Sequence, residues 1–273
     1  MNRLLAVLLL AVTGMASPLA GAADEEYPFR ARYPDVQIMS TDELKARLGE
    51  VLVIDVRSKY EFDTLHVKGA VHVPLKIGFG EKVAQLRAEH DKPFVFYCNG
   101  KTCHKSYDAA LLAAKARLDR IYAYDAGIFD WGQAQPADTV LLGKSPIDRR
   151  QVIDKKRFTA RLLEPPEFVA LVDDRSVVLD VRDRVQRDSP LFPFKERRAQ
   201  LDETKKIDAA IAEAKAQGKV LLVYDQAGKQ VQWFQYYLEN KGVKDYFFMK
   251  GGAQGHFDHM FGRVVLGGGD KDK

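Results

Sequence analysis

Short, nearly continuous apolar runs alternate along this chain with stretches whose apolar residues recur at helical spacing. Val51 to Val56, Phe94 to Tyr97 and Ile121 to Tyr124 read as buried strands, with shorter ones at Val36 to Met39 and Val71 to Val73. Ser40-x-x-Glu43 is a capping signal for a helix that stops at Gly49, and Ser58-x-x-Glu61 repeats it for a short helix. Further helices are expected around Lys82 to Ala88 and over the apolar run Tyr107 to Leu118. Apolar strands separated by helices indicate an α/β fold built on a mainly parallel sheet with helices on both faces. Sites in such sheets lie at the carboxyl ends of the strands, where Asp55-Val56-Arg57 and Cys98 both fall.

The pattern occurs twice. Val53-Ile54-Asp55-Val56-Arg57 returns as Val178-Leu179-Asp180-Val181-Arg182, and Phe96-Tyr97-Cys98 returns as Val223-Tyr224-Asp225. Gly127 followed by Trp131 returns as Gly252 followed by His256, so the partners stand 125, 127 and 125 positions apart. Three matches in one order argue a duplicated fold. The expected organisation is a first domain over 36–138, a connection over 139–160 that is charged and contains Pro146, and a second domain over 161–264. A glycine-rich tail at 265–273 is expected to be flexible.

Both cysteines of the chain lie in one polar loop, Cys98-Asn99-Gly100-Lys101-Thr102-Cys103-His104-Lys105, between a strand and a helix. Backbone N–H groups in such a loop can turn inward around the sulfur, and the helix N-terminus adds partial positive charge. Lys101, Lys105 and His104 act in the same direction, because cations near a thiol favour its anion. A free thiol is only a few per cent ionised at pH 7, so this environment is what would make Cys98 a nucleophile; the alternative is a small buried core residue. Cys103 is open to three readings: a thiol that resolves an intermediate on Cys98, a partner in a structural disulfide, or a metal ligand with Cys98 and His104 that lacks a fourth donor nearby.

Asp55-Val56-Arg57, Glu61-Phe62, His66-Val67-x-Gly69-Ala70-x-His72-Val73-Pro74, Tyr97-Cys98 with its loop, and Gly127-x-x-x-Trp131 stand in the order found in rhodanese-like domains, and the first half resembles that family. The second half resembles it more weakly, which implies two tandem rhodanese-like domains and a sulfurtransferase. The resemblance implies that Cys98 accepts a sulfane sulfur as a persulfide and passes it to a thiol or other thiophilic acceptor, with no cofactor. It assigns Cys98 to catalysis; Cys103, a departure from the family, is placed with it as the resolving thiol, and Asn99, Gly100, Lys101, Thr102, His104, Lys105, Asp55 and Arg57 are expected in the substrate site. Asp55 and Arg57 also read as an ion pair tying the strand end, His66 and His72 as structural, and Trp131 as packing against the loop. The loop departs from the family's commonest Cys-x-x-Gly-x-Arg-Ser: Ser106 lies two residues further on, Gly100 comes one place early and no arginine is present. A longer loop suits the oxyanion-binding phosphatases of this fold, but the absent arginine argues against phosphoryl chemistry.

In the second half Asp225 replaces the cysteine, and a carboxylate cannot carry sulfane sulfur, so this domain is expected to be catalytically silent. The segment Arg184 to Leu201 replaces the His-x-x-Gly-Ala stretch and leaves open a lid, a docking surface or a disordered loop.

Net charge changes the picture little. At +4, falling to about +3 without Arg3, the chain has no strong attraction to nucleic acid or anionic membranes. The N-terminus, with Arg3, apolar Leu4 to Val12 and small residues at Ala20-Gly21-Ala22, has the parts of a secretory signal over 1–23, cut near Ala22 or Ala23. A periplasmic or secreted protein without a membrane anchor follows. Its expected partners are a small sulfur-containing anion or persulfide donor and a thiol acceptor, protein thiols included. Two other function classes fit the same residues: a thiol–disulfide redox protein using Cys98 and Cys103, and a binding module for a sulfur-carrier partner.

Overall fold

The computed structural model describes residues 26–262; the expected signal peptide and C-terminal tail lie outside them. The first half runs α1 (Thr41–Ala46), β1 (Leu52–Asp55), α2 (Lys59–Thr64), β2 (Leu65–Val67), β3 (Val71–His72), α3 (Phe79–Glu89), β4 (Phe94–Tyr97), α4 (Lys105–Lys115), β5 (Ile121–Tyr124), α5 (Gly127–Ala134) and β6 (Thr139–Leu141). The second runs α6 (Lys155–Thr159), β7 (Leu162–Leu163), α7 (Pro165–Ala170), β8 (Ser176–Asp180), β9 (Glu196–Arg198), α8 (Thr204–Ala216), β10 (Val220–Tyr224), α9 (Val231–Asn240), β11 (Tyr246–Met249) and α10 (Gly252–Met260).

Each half holds one parallel sheet, ordered β3-β1-β4-β5 in the first and β9-β8-β10-β11-β7 in the second. The strands carrying the repeated motifs pair in the same register: Asp55 lies beside Tyr97, and Asp180 beside Tyr224. The expected strand Val36 to Met39 is reduced to a bridge between Ile38 and Ala123, in the place that β7 takes beside β11. The Arg184 to Leu201 segment is ordered and contributes an edge strand. Its Glu196–Arg198 pairs with β8 as β3 pairs with β1, anchored by Phe192 against Phe168 and Tyr224 and by the Tyr224 hydroxyl donating to Glu196 at 2.6 Å.

The stretch expected as a connection is partly built into the first half. Thr139–Leu141 pairs antiparallel with β2, and Ile147, Val152 and Ile153 are buried in that half's core, because this charged segment still carries enough apolar side chains to pack.

The strand pleat decides which side of the sheet each residue serves. Phe94, Phe96 and Cys98 face α3 and α4, whereas Val95 and Tyr97 face α1, α5 and, beyond them, Trp233 and Tyr236 of α9. Helix α9 is apolar on two sides. Val231, Phe234 and Leu238 cover the second sheet, while Trp233 and Tyr236 enter the first half's core. Trp233 stacks on Phe129 at 5.2 Å, and the Tyr236 hydroxyl accepts the Ile153 N–H at 2.9 Å. The halves are thus joined mainly through α9, with Phe158 of α6 packed against both cores, and the joint lies beside the cysteine loop. Trp233→Ala should lower unfolding stability by about 3–5 kcal/mol in urea titration; a loss below about 1 kcal/mol would mean the halves do not depend on this contact.

Candidate functional site

The loop after β4 is held from three sides. Below it, the Asp55–Arg57 pair is buried: Arg57 Nη2 reaches Asp55 Oδ2 at 2.6 Å and the Leu65 carbonyl at 2.6 Å, and Nη1 donates to Asn99 Oδ1 at 3.4 Å. Burial opposes the guanidinium charge, but Asp55 more than restores it, so Arg57 stays protonated above its usual range. Trp233 covers the guanidinium at 5.0 Å. Asp55 and Arg57, expected in the substrate site, are therefore walled off from it, because every strong partner they have is another buried group of the framework. Asp180 and Arg182 repeat the pair in the second half at 2.8 Å.

Asn99 is tied in the same way. Its amide donates to Glu61 Oε1 at 3.0 Å, while Glu61 Oε2 closes the capping box on Ser58. From above, the loop rests on Gly127. With φ at +71°, this residue leads into α5, and a Cβ there would come within 2.4 Å of Gly100 N. His66 and His72 hold the neighbouring turn through the Phe62 and Arg57 carbonyls, and Trp131 is buried with its Nε1 donating to the Asp138 carbonyl.

On the outer side, residues 26–33 clasp the loop, an arrangement that no motif in the sequence announced. Lys101 Nζ meets Glu26 at 2.5 Å and Asp130 at 3.1 Å, and the hydrogen bond to Glu26 leads the effects that raise its ammonium above the ordinary range. Arg30 clamps Asp125 at 2.7 Å, and the Tyr107 hydroxyl donates to the same carboxylate at 2.6 Å. His104 pairs with Asp108 at 2.6 Å and packs on Phe29. Two of the three expected cations are thus already matched by carboxylates. Only Lys105, exposed at the start of α4, has no carboxylate partner among the described residues.

Cys98 and Cys103 are joined in a disulfide. Cys98 is fully buried on the α4 side of the sheet, and Cys103 is half-buried. The neighbours of Cys98 Sγ are the Cys103 carbonyl oxygen at 3.2 Å and Ser106 Oγ at 3.8 Å, not the inward-turned amides expected. A disulfide sulfur carries no charge, so N–H groups gain little by turning to it. The N–H groups of Gly100, Lys101, Thr102 and His104 meet no protein acceptor among the described residues.

The second half shows the same bend with an anion in it. Asp225, 1% exposed, accepts the N–H of Gly228, of Gln230 at 2.6 Å and of Val231 at 3.2 Å. The loop amides converge on the side chain that replaces the cysteine.

The cysteine loop opens into a cavity of about 800 Å³ between the halves, lined by Thr102, Cys103 and Phe129 and, from the connection and the second half, by Lys155, Phe158, Lys229 and Gln232. Cys98 is not among the lining residues, so with the disulfide closed Cys103 is the sulfur a reactant meets. Gln232 follows from α9 packing here, which the two-sided apolar pattern of Val231 to Leu238 would have signalled. Arg57→Ala, which strands Asp55 in the core, should cost about 3–5 kcal/mol of stability by urea titration; a loss under about 1 kcal/mol would show that the buried pair does not support the loop.

Among known families, residues 40–134 match the model of the rhodanese-like domain. An HTH-type transcriptional regulator of Mycobacterium tuberculosis is 30% identical over 99 residues, 36% of this chain and 42% of that protein. A tRNA uridine(34) hydroxylase of Chlamydia felis is 34% identical over 95 residues, 33% of this chain and 29% of that protein. The chain thus spans less than half the length of these relatives. A thiosulfate sulfurtransferase structure from Pseudomonas aeruginosa aligns over 83% of this chain and 43% of its own at 18% identity and a TM-score of 0.37. A human single-domain sulfurtransferase aligns over 35% of this chain and 95% of its own at 23% identity and a TM-score of 0.30. The stretch from Ser40 to Ala134, with Cys98 at the end of its β4, is a rhodanese-like domain.

Proposed function

We propose that the chain is an exported sulfurtransferase of two tandem rhodanese-type halves, with Cys98 as the sulfur carrier and the second half catalytically silent. The observation that carries this reading is the loop after β4, where Cys98 takes the place that Asp225 holds in the second half, and Asp225 there gathers three backbone N–H groups. Reduction of the disulfide frees Cys98 as a thiolate, and loop amides turning inward to it, as they do around Asp225, would stabilise its charge. The thiolate attacks the outer sulfur of an anionic sulfane donor such as thiosulfate. The sulfur–sulfur bond of the donor breaks, sulfite leaves with the electron pair, and Cys98 holds an anionic persulfide.

Two exits follow. An external thiolate attacks the outer sulfur and carries it away, restoring the Cys98 thiolate. Alternatively, the Cys103 thiolate attacks Cys98 Sγ and expels hydrosulfide. The sulfane sulfur is then reduced, the two cysteine thiols are oxidised to the disulfide, and an external dithiol must reopen it. The signal-like pattern over residues 1–23 supports a periplasmic or extracellular setting for these steps, and no helix among the described residues is long and apolar enough to cross a membrane.

The unequal burial of the two sulfurs favours a second reading, thiol–disulfide exchange. An incoming thiolate would attack the half-buried Cys103 sulfur and release Cys98 as the leaving thiolate beside the same amides. Mass spectrometry of the reduced protein after exposure to thiosulfate or polysulfide separates the two. Sulfur transfer predicts one added sulfur that persists in Cys103→Ser and disappears in Cys98→Ser, with the wild type releasing sulfide as it returns to the disulfide. No added sulfur in Cys103→Ser with either donor, together with dithiol-dependent disulfide reduction lost in both single variants, would overturn transfer in favour of exchange.

A further inference from the structure

The charges around the cavity are unevenly spent. Asp130 is taken by Lys101, Asp154 caps the N–H of Arg157, and Glu61 is shared between Ser58 and Asn99. Lys105, Lys155 and Lys229 are exposed and have no carboxylate partner among the described residues. Lys105 and Lys229 line not only the cavity that contains Cys103 but also an adjoining groove of about 380 Å³ bordered by Ser58, Asn99 and Trp233. One comes from each half.

Lys229 is held there by the second loop's own anion. Asp225 binds the N–H groups of Gly228, Gln230 and Val231, on both sides of Lys229, and makes no bond to its ammonium. Gly228, with φ at +71°, makes the turn that precedes it, and a Cβ at Gly228 would approach Gly251 N at 2.9 Å. The carboxylate that disqualifies this half from carrying sulfur therefore fixes the backbone that presents its lysine to the other half's cysteines.

We propose that Lys229 is a specificity-determining residue contributed by the silent half: its ammonium attracts anionic reactants to the cysteine cleft, and Asp225 is its positioning residue. The identification of those reactants as anionic sulfur donors rests on the transfer reading; the attraction itself does not. With Lys101 neutralised by two carboxylates, Lys105 is the unpaired cation of the cysteine loop among the described residues, and the second half adds Lys229 to it across the cleft.

The test compares alkylation of the reduced full-length protein by iodoacetate, an anion, and by iodoacetamide, its neutral counterpart, at low ionic strength. Lys229→Ala should slow iodoacetate about threefold and Lys229→Glu about tenfold, with iodoacetamide rates unchanged within about twofold, and the difference should fade in high salt. Lys229→Arg should retain the wild-type ratio. Asp225→Asn should lower the ratio with Lys229 still present, because one carboxylate oxygen that accepts N–H groups becomes a donor. An iodoacetate to iodoacetamide ratio equal in wild type, Lys229→Ala and Lys229→Glu would overturn the role of Lys229, and a wild-type ratio in Asp225→Asn would overturn that of Asp225. Neither reagent requires a persulfide, so failure here is separate from failure of sulfur transfer, which is read by mass.

Discussion

Where each central strand ends, the chain must turn at once into a helix, and the bend leaves backbone N–H groups without carbonyl partners. Buried or half-buried amides of this kind need an acceptor. In the second half the need is met within the chain, since the Asp225 carboxylate takes three of them. In the first half the corresponding side chain is a cysteine whose charge is cancelled by its bond to Cys103, and the half-buried amides of Gly100 and Lys101 meet no protein acceptor among the described residues. The two loops are two answers to one constraint, one permanently occupied and one occupied only when sulfur is ionised.

The rest of the framework keeps that bend in place. Arg57, neutralised by Asp55 and covered by Trp233, holds Asn99; Gly127 permits the close approach of Gly100; residues 26–33 pair with Lys101 through Glu26 and pack on His104 through Phe29. The strongest electrostatic groups near the cysteines are thus structural. What the cleft offers a reactant is weaker and more open: exposed lysines, apolar Phe129 and Phe158, and the half-buried sulfur of Cys103.

Much of the fold was legible because its causes are local. Continuous apolar strands such as Phe94 to Tyr97 read as parallel and buried, the Ser58-x-x-Glu61 box formed as expected, and the spacing of Asp55-Val56-Arg57 and Asp180-Val181-Arg182 matched two sheets of like order. The errors came from distant contacts. Val36 to Met39 has a strand's composition, yet a single bridge at the sheet edge is all it makes. Arg184 to Leu201 gave no strand signal because Glu196–Arg198 pairs through its backbone while its side chains stay charged. In the site, Asp55 and Arg57 were expected at the substrate because they lie at a strand end, and burial by α9 removed them from it. Lys229 was passed over because its importance comes from the packing of α9 across the halves, which spacing along the chain does not encode.

The claim on which the account depends is that the bend after β4 favours an anion at position 98. Thiolate absorbance of the Cys103→Ser protein, followed as pH rises, measures this with one thiol in the molecule. The account predicts that the thiolate is already the major form near neutrality, well below the range near pH 8.5 where an ordinary thiol ionises. Ionisation at or above that range would show that the loop amides do not serve the sulfur and would contradict the account.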